Sequence, residues 1–200
     1  LLVDRNLPEA NIVSSYFAYL VNKEFKYDIY LLNNQSPNNE LNKIYESFNL
    51  KKTFNINIKQ KIFYQLDLIF KTMIYFVPNF FFIFSNSGKW IIENFKIHNI
   101  YLGDVVYDTY IRQDNDYDKE NLLNFKFLKI IFITLYKFFY IDKLLDNKKF
   151  NFIISNTHTY ASNSTLAMRI GLKKKIKIIN LLSSRIRFYE KLEKSYRSEL

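Results

Sequence analysis

Two polar clusters in this chain have residue types that could do chemistry. The first is Tyr101-Leu102-Gly103-Asp104-Val105-Val106-Tyr107-Asp108-Thr109-Tyr110-Ile111-Arg112. Asp104, Asp108 and Arg112 recur every four residues, so a helix would carry them on one face with Tyr107 beside them. The second is Ser155-Asn156-Thr157-His158-Thr159-Tyr160, which gathers hydroxyls, an amide and an imidazole. An imidazole titrates near neutrality and can act as a general base or hydrogen-bond a sugar or phosphate. A third, smaller group is Asp4-Arg5-Asn6. Each has a plain structural account too. Asp104 can serve a helix start, Asp108 can pair with Arg112, and Asn156, Thr157 and Thr159 can make turn and cap bonds around a satisfied His158. Spacing alone favours that account for the first cluster and leaves both readings of the second open.

All three groups follow strand-like runs. Leu1 to Asp4 reads as a strand end, Asn6 to Glu9 as a turn, Ala10 to Lys23 as a helix and Tyr27 to Leu32 as a strand. Ser36-Pro37 marks a helix start with Ser as cap and Pro at the first position, the helix running to about Phe48. This strand–helix–strand–helix order is the signature of a right-handed parallel crossover, hence an α/β fold. The middle is more helical. Lys59 to Phe84 is a long aromatic pattern expected to break near Pro78, and Ser87 to Phe95 is a short helix. Asn99 to Leu102 is strand-like, Val105 to Arg112 helical, Gln113 to Lys119 a polar loop and Asn121 to Asn147 a long helix. Alternation then returns: strand at Asn151 to Ser155, helix at Thr159 to Ile170, Gly171 as a left-handed cap, and strand at Lys175 to Leu182. In open α/β sheets ligands bind outside the carboxyl ends of strands. All three polar groups are expected at that rim. The expected organisation is one domain over 1–182 with a helical insertion at 59–95, and 183–200 as the start of a linker or next segment.

Other chemistries lack their residues. With Gly88, Gly103 and Gly171 as the three glycines there is no dinucleotide fingerprint or phosphate-binding loop. His98 and His158 stand too far apart for a histidine metal pair, and no nucleophile elbow occurs. Asp114, Asp116 and Asp118 imitate the opening of a calcium loop, but Lys119 and Phe125 occupy the positions that need Gly and Glu. No metal is expected. The absence of cysteine removes disulfide and thiolate chemistry. The net charge of +10 favours anionic partners: nucleic acid, an acidic membrane surface or phosphorylated ligands. Part of it is attributable to the joint abundance of Lys, Asn, Ile, Phe and Tyr, a composition bias of A+T-rich coding. Ile62 to Phe84 and Phe127 to Ile141 are apolar, but Asp67, Lys71, Lys129 and Lys137 interrupt them. Both are expected as core helices or helices resting on a membrane surface rather than spans. Leu1-Leu2-Val3 and the charged helical pattern from Arg187 to Leu200 are expected to be points of excision from a longer protein.

The segment Gly103-Asp104 through Tyr107-Asp108-Thr109-Tyr110-Ile111-Arg112 resembles a GD-x-x-YD-x-Y-hydrophobic-R motif of bacterial capsule and surface-polysaccharide glycosyltransferases of the GT-B type. Ser155 to Tyr160 and the helix to Gly171 resemble that family's SHT-x-Y region, with Asn156 in place of Ser and Gly171-Leu172-Lys173 in place of Gly-Ile-Pro. The resemblance spans about residues 1 to 182. It implies that this chain is the Rossmann-like N-terminal, acceptor-binding half of a two-domain enzyme. The donor half, absent from the chain, would bind a nucleotide-activated sugar. The fragment alone is then expected to be inactive and to hold no cofactor. Asp104 or His158 would be the base, with Tyr107, Asp108, Arg112, Asn156, Thr159 and Asn6 positioning the acceptor. The acceptor would be a saccharide or a lipid-linked saccharide, and the setting cytoplasmic, with peripheral contact at the anionic inner face of the plasma membrane. No nucleic acid partner is expected on this reading. The alternatives are a non-catalytic basic α/β domain for nucleic acid or phosphorylated ligands, or a structural partner in a polysaccharide-assembly complex.

Overall fold

The computed structural model describes residues 1–3, 8–32, 39–50, 58–85, 88–113, 125–147, 149–155, 162–182 and 185–189. In chain order the elements are β1 (Leu2–Val3), α1 (Pro8–Phe25), β2 (Leu31–Leu32), α2 (Asn39–Ser47), α3 (Ile58–Ser85), α4 (Gly88–Asn94), β3 (Lys96–Ile97) and β4 (Ile100–Tyr101). They continue with α5 (Gly103–Gln113), α6 (Phe125–Asn147), β5 (Phe152–Ser155), α7 (Asn163–Lys173), β6 (Lys177–Leu182) and β7 (Arg185–Tyr189). These elements form two compact units. The sheet unit holds β1, α1, β2, α2, β5, α7, β6 and β7, and the helical unit holds α3 to α6 with β3 and β4. The second unit is therefore larger than an insertion over 59–95, because α5 and α6 belong to it as well.

In the sheet unit the strand order is β2-β1-β5-β6-β7. The first four strands are parallel, with Leu2 opposite both Leu31 and Ile154, and Ser155 opposite Asn180. β7 runs antiparallel to β6, with Leu182 opposite Arg185 and Ile178 opposite Tyr189. Residues 185–189, expected in a linker or next segment, form the outermost strand on that side of the sheet among the described residues. Alternate apolar residues, Ile186 and Phe188, face outward from it and are exposed. The helical pattern expected from Arg187 onward is corrected over 187–189; its remainder lies outside the described residues.

Strand pleating assigns the two faces. Leu2, Leu31 and Ile154 pack with Ala18 of α1 and Tyr45 of α2. Gly171 of α7 lies against Ile153 and Ile178, so α7 covers the opposite face. Helices on both faces of a mostly parallel sheet make this a doubly wound α/β layer arrangement. The crossovers diverge between β1 and β5, since β1 leads through α1 to β2 and β5 leads through α7 to β6.

Several helix boundaries differ from the periodicity. Pro8 opens α1 instead of closing a turn, as its fixed φ and missing N–H suit a first helical position. The expected Ser36–Pro37 start lies outside the described residues. Gly171 is no left-handed cap: no glycine among the described residues has positive φ, and the one at 171 sits inside α7. Lys175 takes the left-handed conformation instead, at φ 60°. The Ile176 N–H donates to the Gly171 carbonyl at 2.8 Å and the Lys175 N–H to Leu172 at 3.0 Å, a Schellman closure. Glycine at 171 instead lets α7 lie close on the sheet, because a Cβ there would fall 2.5 Å from Ile153 Cδ1, which would have to shift.

In the helical unit α3 runs through Pro78 without ending. The missing Pro78 N–H costs one helical bond, and next to it the Asn79 side-chain amide donates to the Tyr75 carbonyl at 2.7 Å. α3 turns Leu68, Thr72, Tyr75 and Phe76 inward. Tyr75 meets Phe139 of α6 at 5.0 Å between ring centroids, and Phe76 meets Phe132 at 5.5 Å. The buried hydroxyls of Thr72 and Thr134 donate to the Leu68 and Ile130 carbonyls, each at 2.7 Å, so neither is left unsatisfied.

Candidate functional site

The carboxyl edge of the parallel strands, at the divergence of β1 and β5, is the candidate site. In a doubly wound sheet the crevice at that place is where loops part and ligands enter. The chain leaves β1 after Val3 and β5 after Ser155, on neighbouring strands. The residues that follow, among them Asn6, Asn156, His158 and Thr159, lie outside the described residues.

Buried polarity marks the same edge. α1 and α7 lead back antiparallel to the strands they follow, so their first turns stand at the carboxyl edge. Asn11, Ser14 and Ser15 in the early turns of α1 are buried, as are Asn163, Ser164 and Thr165 in the first turn of α7. Ser155 ends β5 and Asn180 lies opposite it on β6, both fully buried. Because Ile153 and Ile178 face α7, the residues two positions further along, Ser155 and Asn180, face α7 as well. They sit under its N-terminal half. The Ser155 hydroxyl, both amide atoms of Asn180 and the Asn163 carbonyl oxygen have no hydrogen-bond partner among the described residues. The amino edge contrasts with this: Tyr27, Tyr30, Phe150 and Phe152 gather there in aromatic contacts.

A buried polar atom without a partner costs about 1–3 kcal/mol. Such groups are rare in folded proteins and usually have a reason. Here Ser155 and Asn180 stand side by side, and Asn163 opens the helix that packs on their face, at the edge where the fold directs ligands. Together they offer hydroxyl and amide donors and acceptors, beside the partial positive charge of a helix N-terminus. That set suits hydroxyl-rich or anionic ligands. It offers no charged metal-ligand set, and no group of three potential metal ligands occurs among the described residues.

The Asp104 cluster belongs to the helical unit. β4 pairs antiparallel with β3 in a two-stranded ribbon, Lys96 opposite Tyr101, and is not a strand of the parallel sheet. The expectation that Asp104 follows a strand of that sheet is corrected. A reversal at His98 and Asn99, with φ 49° and 63°, turns the ribbon back on itself and explains why a two-residue strand suffices. Leu102 and Gly103 both donate to the Phe95 carbonyl, at 2.9 and 3.1 Å, and the Val106 N–H reaches Leu102 at 3.0 Å. α5 therefore begins at Gly103, with Asp104 in its first turn, where a carboxylate complements the helix dipole.

Much of the motif has a structural use. Gly103 is pressed on α4, so that a Cβ would fall 2.1 Å from the Ile91 carbonyl oxygen. Tyr110 is buried against Phe127 at 5.3 Å. Arg112 Nε donates to Asp108 Oδ2 at 3.2 Å along the helix surface. Asp104 and Tyr107 remain half-buried on the same face. Sequence reasoning overlooked Asn163 and Asn180. A polar residue inside the apolar run Ile176 to Leu182 was the signal for Asn180.

Comparison with known protein families, with curated proteins and with solved structures returns no match to this chain.

Proposed function

We propose that this chain is the acceptor-binding half of a glycosyltransferase of surface-polysaccharide assembly, or of a related glycerol-phosphate-type transferase. The observation that carries the reading is the cluster of unpartnered buried polar atoms on Ser155, Asn163 and Asn180 at the carboxyl edge of the sheet. The two motif resemblances, around Asp104 and around His158, supply the reaction class. On this reading the polar edge hydrogen-bonds an acceptor hydroxyl, and a base removes its proton as the oxygen attacks the anomeric carbon of the donor. The bond to the diphosphate breaks, and the departing charge is met by donors of a nucleotide-binding half. Of the two candidate bases the reading favours His158, which follows Ser155 by three residues in sequence, over Asp104 of the helical unit. Tyr107, Asp108, Arg112, Asn6, Asn156 and Thr159 are assigned to acceptor positioning.

The test is transfer by the polypeptide carrying this chain and a donor half, assayed with nucleotide-activated sugars and free or lipid-linked saccharide acceptors. His158→Ala should lower kcat by about 10²-fold or more, as loss of a general base does. Ser155→Ala and Asn180→Leu should weaken acceptor binding while leaving folding stability unchanged or raised by about 1 kcal/mol, because each deletes an unpartnered buried polar group. Full transfer by His158→Ala and Asp104→Ala alike would remove the assigned base. Tight, salt-sensitive binding of DNA or RNA without saccharide binding would replace the reading with that of a basic nucleic-acid module.

A further inference from the structure

The outer face of α3 is apolar over nearly its whole described length. From 62 to 81, Ile62, Phe63, Leu66, Phe70, Ile74 and Phe81 are each at least half exposed, with Phe63 at 77%. Gln65 and Lys71 are the only exposed residues of that stretch that are not apolar. Twenty residues of helix extend about 30 Å, so the stripe is long. No helix among the described residues is long and apolar enough to cross a membrane. A helix of this kind lies in the plane of an interface.

Charge decides the occupant. Lys51, Lys52, Lys59 and Lys61 lead into the stripe, and no acidic residue occurs between Glu46 and Asp67. The one acidic residue of α3, Asp67, is held between Lys143 at 2.5 Å and Lys71 at 3.7 Å. It presents no uncompensated negative charge. In the same unit the first turns of α6 expose Phe125 at 83% with Lys126 and Lys129. Lysine is depleted in the apolar centres of protein interfaces, whereas lysine beside aromatic and aliphatic side chains is the pattern drawn to anionic lipid. We propose that the α3 face docks this protein on an anionic bilayer surface, with Phe63, Phe70 and Phe81 entering the interface and exposed lysines of the same unit, Lys71, Lys126 and Lys129, meeting headgroups. The inference is independent of the transferase reading.

Co-sedimentation of the whole chain with vesicles tests it, comparing phosphatidylcholine alone with a mixture containing about one third phosphatidylglycerol, a fraction chosen to give a strong negative surface potential. Binding is expected on the anionic vesicles, and roughly tenfold less of it on neutral ones or in 0.5 M salt, as screening predicts. Phe63→Ser with Phe70→Ser and Phe81→Ser should abolish binding while the circular dichroism of the chain is retained. Should that variant misfold, Phe70→Trp provides a second measurement: its fluorescence should be quenched by brominated anionic lipid, beyond the quenching of Trp90 in the parent. No binding at low salt, unchanged binding by the triple variant, or an unquenched tryptophan at 70 would each overturn the proposal. So would a concentration-dependent dimer that the triple variant dissolves, with no vesicle binding, since the occupant would then be a second copy.

Discussion

At Gly103 one added carbon would strike backbone, the carbonyl oxygens of Ile91 and Ile92 at 2.1 and 2.6 Å. At Gly171 it would strike the mobile end of a side chain, Ile153 Cδ1 at 2.5 Å. Backbone cannot step aside, whereas a terminal methyl can rotate, and alanine also gains about 1 kcal/mol of helix propensity over glycine. Gly103→Ala is therefore expected to cost about 1–3 kcal/mol or more, and Gly171→Ala at least about 1 kcal/mol less than that, read by urea denaturation. The Asp67 carboxyl titrates below its usual range, chiefly because Lys143 donates a hydrogen bond to it. A group whose folded value is depressed stabilises above its unfolded value, near 4, and that contribution fades as pH falls through the lowered folded value. Asp67→Asn should thus be less stable than the parent at neutral pH, by on the order of 0.5 kcal/mol for so exposed a pair. The two should converge as pH falls through the lowered folded value, in thermal melts taken across the acid range. Neither glycine's partner could be read from sequence, since both contacts join distant parts of the chain. Asp108 and Arg112 could be, because a four-residue interval on a helix is local geometry.

Among the elements, those with long apolar periodicity were legible: α1, α3, α6, β5 and β6 all stand within a few residues of where the pattern places them. Short elements whose partners are remote were not. β3 has two residues, and β4 reads as a strand without revealing that its neighbour is antiparallel β3. β7 was hidden because Arg185, Arg187 and the charged run beyond look solvent-facing, while its pairing with β6 extends over five residue pairs. That pairing matters to the edge of the sheet. A chain ending at Leu182 would leave β6 open, and an uncovered strand edge recruits other chains. Such a truncation should elute as aggregates by size-exclusion chromatography with light scattering under conditions where the 200-residue chain does not.

For the molecule as a whole, the alternation of strand-like and helical patterns set the α/β class and crossover order, but the division into two units was not visible because no Pro-, Gly- or Ser-rich linker separates them. The candidate site was half legible: the strand end at Ser155 follows from the apolar run before it, whereas Asn180 and Asn163 needed the register and the layer order. A net charge of +10 repels itself across the folded chain. Screening shortens its reach from about 30 Å at 0.01 M salt to about 8 Å at 0.15 M. The melting temperature should therefore rise over that interval, and a fall in calorimetry would mean that attractive ion pairs outweigh the repulsion. The reversal of the last strand has a consequence for assembly. β7 descends beside β6, so Tyr189 stands level with Ile178, towards the end of the sheet opposite the polar mouth. Whatever is tethered beyond that strand starts from the floor of the sheet. To stand level with Leu182, at the other end of the β7 pairing, it must climb back four residues of strand height, about 13 Å.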